Sequence, residues 1–198
     1  MSIKPASFSR VSDPETEPVT LDEVKVHLRL DSDLDDDYLS SLIKAAREWA
    51  EDFTGRVFIT QTWRAKYGSW PSDRVFVLPA PPVQSVESIT YVDADDADIE
   101  VDSDLYNLEL NQTPALVQMT QAAGAPTLSR NRVSSIVVEL TCGYGDEAVT
   151  TPERVKSAMK LTIAHWYFNR VSVNVGNIVN KVPLSAEALL TQLRIRPT

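Results

Sequence analysis

An α+β architecture follows from this sequence: a helical core drawn from the N- and C-terminal parts of the chain, with an antiparallel β subdomain inserted between them. The apolar period changes twice, from helical spacing to alternation at Val57 and back to helical spacing at Pro152. Charge marks the same insertion. Between Val75 and Ser129 there is no Lys or Arg, yet nine carboxylates fall there, from Glu87 to Glu109. The rest of the chain holds 19 acidic and 19 basic residues, so the formal −9 sits in this stretch. The 198 residues divide into an extended arm (1–19), a first helical part (20–56), an acidic β-rich insertion (57–146) and a second helical part with a C-terminal segment (147–198).

The arm carries three Pro before Val19 and no periodicity. Thr20-Leu21-Asp22-Glu23 is a capping box, in which the Thr hydroxyl and the Glu carboxylate each take a free amide of the first turn. Leu21, Val24 and Leu28 then fall at helical spacing, predicting a short helix over 20–29. A second helix, 35–54, starts in the aspartate run, where carboxylates meet the positive end of the helix dipole. Its stripe of Leu39, Leu42, Ile43, Ala46, Trp49, Ala50 and Phe53 faces a core, and Gly55 supplies the left-handed residue that stops it.

Alternation then predicts strands at Phe58–Trp63, Arg74–Leu78, Val86–Val92, Asp104–Leu110, Leu116–Met119 and Ser135–Thr141, with a turn at Asp93–Asp98. Pro81-Pro82 blocks any helix there. Thr151-Pro152 reads as an N-cap followed by a first-turn proline. The helix that follows, 152–170, is apolar on most sides, so it is central in its subunit or buried between subunits. Trp49, Trp166 and Tyr167 are the expected aromatics of a subunit interface. A polar loop from Val171 leads to a short helix over 185–193 and the terminal Arg194-Ile195-Arg196.

An apolar fraction of 43% with four Trp excludes a disordered chain, and no run reaches the length of a membrane span. A single Cys rules out an internal disulfide. Net charge of −9 argues against holding DNA by phosphate neutralisation. Two acidic runs invite a calcium reading. Counting from Asp31, the EF-hand Gly and Glu positions hold Asp36 and Leu42, and Asp93-x-Asp95-x-Ala97 lacks the Gly as well. Helix capping and a solvated hairpin tip account for them. Cys142 with His27 or His165 would be needed for a Cys–His hydrolase, but no local signature accompanies them. No ligand spacing for zinc and no phosphate loop is present, so no cofactor is expected.

The order of signals resembles the head-to-tail connector, or adaptor, proteins of tailed double-stranded DNA phages and gene transfer agents. The likeness runs from Pro18 to Arg196. It begins with Pro18-Val19-Thr20-Leu21-x-Glu23-Val24-Lys25-x-His27-Leu28-Arg29, the aspartate run and the helix end from Ala45-Ala46 to Gly55-Arg56. It continues through Leu78-Pro79-x-Pro81-Pro82-Val83-x-Ser85-Val86-x-Ser88-Ile89-x-Tyr91, Gly143-Tyr144-Gly145 and Pro152-x-x-Val155-Lys156-x-Ala158. It closes with His165-Trp166-Tyr167-x-Asn169-Arg170, Pro183-Leu184 and Leu189-Leu190 with Arg194. Where members carry a Trp-Pro pair, this chain has Gly124-Ala125-Pro126.

The resemblance implies a structural virion protein of the neck, assembled in the host cytoplasm, not an enzyme. It implies a ring of roughly twelve subunits, a heterologous interface closed on itself, under the portal. The ring would extend the DNA channel and present a platform for the stopper, neck or tail-terminator protein. DNA would pass without specific binding, since twelve copies of this chain carry on the order of −100 charge. Asp93, Asp95, Asp96, Asp98, Asp102 and Asp104 are then candidates for an acidic lumen or rim. Leu184, Leu189, Leu190, Leu193, Arg194 and Arg196 are candidates for portal docking, in a segment with a basic excess. An acidic binding module, either a DNA mimic or a cation-binding one, is the alternative, and the Cys–His hydrolase a remote third.

Overall fold

The computed structural model describes residues 4–170 and 184–195, and confirms the α+β class. Two compact units form, Met1–Pro14 with Thr60–Tyr144, and Glu15–Ile59 with Gly145–Thr198.

Among the described residues the first unit holds eight strands: β1 (Ser7–Arg10), β2 (Gln61–Tyr67), β3 (Val75–Val77), β4 (Val83–Val92), β5 (Asp98–Glu100), β6 (Tyr106–Glu109), β7 (Leu116–Met119) and β8 (Ile136–Cys142). They make a five-stranded sheet in the order β1-β2-β8-β4-β5 and a three-stranded sheet in the order β3-β7-β6, with every pair antiparallel. β8 lies between β2 and β4 because its alternate residues Ile136, Val138, Leu140 and Cys142 are all fully buried, the mark of a strand with one face on a core. Phe76, Leu78, Val117 and Met119 give the smaller sheet its buried face, and the Tyr67 and Phe76 rings meet edge to face at 4.8 Å. The edge strands β5 and β6 are short, largely exposed and carry carboxylates, which keeps their unpaired backbone from recruiting another strand.

The second unit holds α1 (Leu21–Leu28), α2 (Asp36–Thr54), α3 (Glu153–Phe168) and α4 (Leu184–Thr191), with α3 packed on the other three. The capping box forms: the Glu23 amide donates to Thr20 Oγ1 at 3.1 Å and the Thr20 amide to Glu23 Oε2 at 2.9 Å. Arg29 closes α1 in the left-handed region at φ 58°, and Gly55 closes α2 at φ 69°. At the far end, the Ile195 amide donates to the Thr54 carbonyl and Arg56 Nε to the Leu193 carbonyl, which ties the chain after α4 to the end of α2.

Four local readings are corrected. Val57, Phe58 and Ile59 are all buried and form no strand, because they fill the helical unit; the pairing starts at Gln61. Asp104 lies in a single 3₁₀ turn ahead of β6, not in a strand. Thr151 caps nothing: its hydroxyl is buried without a hydrogen bond, and Pro152 occupies the N-cap position of α3. The arm contributes β1, paired with β2 from Ser7↔Lys66 to Arg10↔Trp63, a pairing that short polar alternation did not announce.

Candidate functional site

Of the groups considered for catalysis, the thiol is buried and the two imidazoles lie on separate helices. Cys142 is fully buried on β8, and burial pushes its thiol up to about 12, so no thiolate forms near neutral pH. His27 is exposed on α1, while His165 is half-buried beside Asn169. Among the described residues no group of three or more His, Cys, Asp or Glu side chains is arranged to hold a metal.

The aspartate run before α2 already has its cations. Lys25 Nζ donates to Asp33 and, at 2.9 Å, to Asp36. Asp35 occupies the N-cap position of α2 but makes no capping bond. Its Oδ2 instead accepts from Tyr167 Oη at 2.6 Å and from Arg170 at 2.9 Å. These donors hold the Asp35 carboxyl below its ordinary range, the Tyr167 hydroxyl first and the guanidinium second. The Arg170 guanidinium in turn lies 4.5 Å from the Tyr38 ring centre and 4.6 Å from that of Tyr167, so one cation serves an ion pair and two π faces. This clasp joins the start of α2 to the end of α3.

A second ionic group lies inside the helical unit. Arg47 is fully buried on the apolar stripe of α2 and donates to Glu17 and to Glu51, at 2.8 and 2.9 Å. Glu51 also accepts the Phe58 amide at 3.1 Å. Burial alone would lower the Arg47 guanidinium; Glu51 and Glu17 more than offset it. The position was readable as odd, a charged residue between Ala46 and Ala50, but the sequence did not reveal its two acceptors.

The expected interface aromatics are half-buried in the subunit: Trp49 on α2, and Trp166 and Tyr167 on α3. Trp49 packs against Phe53 at 5.7 Å, and the Arg194 guanidinium lies 5.2 Å over the Phe53 ring. Residues from two separately predicted sets therefore share one patch. Among the docking candidates, Leu184 is 83% exposed, Leu189 and Leu193 are half-buried, and Leu190 is fully buried, so Leu190 belongs to the core of the subunit. Its burial follows from the packing of α4 on α3. Arg196 lies outside the described residues, as does the loop from Val171.

The acidic candidates are all at the surface, with Asp93 the least exposed. Several shape their own turns. Asp93 Oδ1 accepts the amides of Asp95 and Ala97, Asp102 accepts that of Asp104, and Asp96 accepts from the Ser129 hydroxyl and Asn131. Among the exposed apolar residues that were not singled out in the sequence, two flank the clasp. Leu34, inside the aspartate run, is 94% exposed, and Phe168, the last residue of α3, is 69% exposed. A Leu among five Asp was the only available signal.

Residues 18–112 match the family model described as phage gp6-like head-tail connector protein. No curated protein matches the chain. Solved chains share the fold, among them the following three. One, in the neck of an empty gene transfer agent (GTA) particle computed with C6 symmetry, has TM-score 0.79 at 21% identity and 97% coverage of both chains. Another, in the virion of a native GTA particle, has TM-score 0.77 at 21% identity over 96% of each. A third, in the neck of a native GTA particle computed with C12 symmetry, has TM-score 0.75 at 20% identity over 97% of each.

Proposed function

We propose that the chain, whose residues 18–112 match the phage gp6-like head-tail connector model, is a connector of that kind and a structural component of a virion neck. It closes into a ring under the portal, extends the DNA channel and offers the platform for the neck or tail. The observation that carries this reading is the full-length overlay: 97% of this chain on 97% of a chain from a GTA neck. Both the helical and the β unit are included, not the matched family segment alone.

The C6 and C12 symmetries of the GTA necks support a closed ring, which we take as twelve copies. The portal lies on one side and a stopper or tail-terminator protein on the other. A neutral buried thiol at Cys142 supports a structural rather than catalytic role. Uncovered apolar surface on α3 supports burial between subunits, with Trp49, Trp166 and Tyr167 contributing. Leu184, Leu189, Leu193 and Arg194 are assigned to the portal side, and the acidic residues from Asp93 to Asp104 to the lumen or rim, where like charge gives DNA no foothold.

The test adds the purified protein to portal-bearing heads and images the vertex by electron microscopy. A ring under the portal, and tail attachment that requires it, are expected. Heads that recover no density for the protein would overturn the reading.

A further inference from the structure

Resting on the connector reading, we propose that neighbouring subunits join head to tail through two different patches at opposite ends of α3. An aromatic knob formed by Phe168 and Leu34 on one subunit seats in the groove between Arg154 and α4 of the next. The 16 residues of α3 separate the two patches by about 24 Å at 1.5 Å per residue.

The knob is held in place. Phe168 follows Tyr167, whose hydroxyl is fixed on Asp35, and precedes the Arg170 side chain that shares that carboxylate. Leu34 directly precedes Asp35, and its amide donates to Ser32 Oγ at 3.2 Å. Both apolar side chains thus stand out from a backbone already fixed by the clasp, so little ordering entropy is lost when a partner covers them. Around them the aspartate run leaves Asp31 and Asp37 exposed and without a partner among the described residues.

The groove has the opposite charge. It is open, about 620 Å³, and lined by Arg154, Ser185, Ala188, Leu189 and Gln192. Among the described residues Arg154 bonds only the neutral Gln192 amide, at 2.9 Å, so its charge is not compensated. An acidic apolar knob and a basic apolar groove on the same chain are complementary to each other, which selects a second copy as the occupant and sets its orientation. Because the two patches differ, each copy leaves one of each free, and the series ends only by closing into a ring.

The experiment places cysteines at Phe168 and at the exposed Ala188 (Phe168→Cys/Ala188→Cys), with the chain assembled on portal-bearing heads and oxidised. Cys142, fully buried, stays out of the reaction. A non-reducing gel is expected to show a ladder of covalent oligomers up to the closed ring, while either single cysteine variant gives none. Phe168→Asp and Ala188→Glu, each checked for an unchanged circular dichroism spectrum, should lose the ring on the heads. Assembly without a ladder, a crosslink to the portal or within one chain, a dimer from Phe168→Cys alone, or rings from both acidic variants would each overturn this contact and leave the connector reading standing. Failure of the wild-type chain to bind heads would instead overturn the connector reading.

Discussion

Arg47 is a fully buried cation in the helical unit, held by Glu17 and Glu51. A buried guanidinium is tolerable only while its carboxylates are present, and the same holds for the carboxylates in reverse. Arg47→Ala should cost about 3 kcal/mol or more of unfolding free energy, since Glu51 and Glu17 would keep their charge without a cation; urea unfolding followed by circular dichroism measures it. Asp35 gives a pH signature instead. Its carboxyl is held low in the folded chain, so its contribution is complete above the unfolded-state value of about 3.9 and is lost as pH falls through the lower folded value. The melting temperature of Asp35→Asn should therefore lie below that of the wild type near neutral pH, and the gap should close in acid below about pH 4. A gap that stays constant down to strong acid would remove the ionised carboxylate from the account.

At the scale of elements, the helix ends give the cleanest tests. Thr20→Ala removes one bond of the capping box and should cost about 1 kcal/mol, read from the same urea transitions. At Gly55, φ is +69° and a methyl would meet Ile195 at 3.7 Å, an ordinary contact. Gly55→Ala should thus cost only the left-handed conformation, about 1 kcal/mol, with no packing defect. β8 is different in kind: Leu140→Ala opens the middle of the five-stranded sheet and should cost about 2 to 5 kcal/mol. Helices were easy to read because their signals are local. Capping box, stripe and left-handed glycine each lie within a few residues of one another. β1 and β5 went unread because their pairing partners are distant or their sequence polar, and Asp98–Glu100 pairs only by folding back on β4.

For the whole molecule, the C-terminal segment serves the fold, and the proposed portal docking draws on the same residues. Ala186 and Leu190 are fully buried, and the chain after them is bonded to the end of α2. Deleting everything after Pro183 should therefore lower the melting temperature of the helical unit as well as any portal binding. Leu184→Ser, at a side chain 83% exposed, separates the two: it should leave the melt unchanged and weaken co-sedimentation with portal-bearing heads. Loss of binding with an unchanged melt supports docking through this face; unchanged binding removes Leu184 from it.

The α+β class, the helix limits to within a few residues and the concentration of negative charge between Val75 and Ser129 are legible along the chain. Those properties depend on period, caps and composition, which are written along the chain. Which acidic residues meet which cations, that Arg47 lies inside and Phe168 outside, and that Leu190 fills the core while Leu184 does not, emerge only on folding. Those outcomes depend on contacts such as Asp35 with Arg170, 135 residues apart, and no local pattern specifies a pairing at that separation.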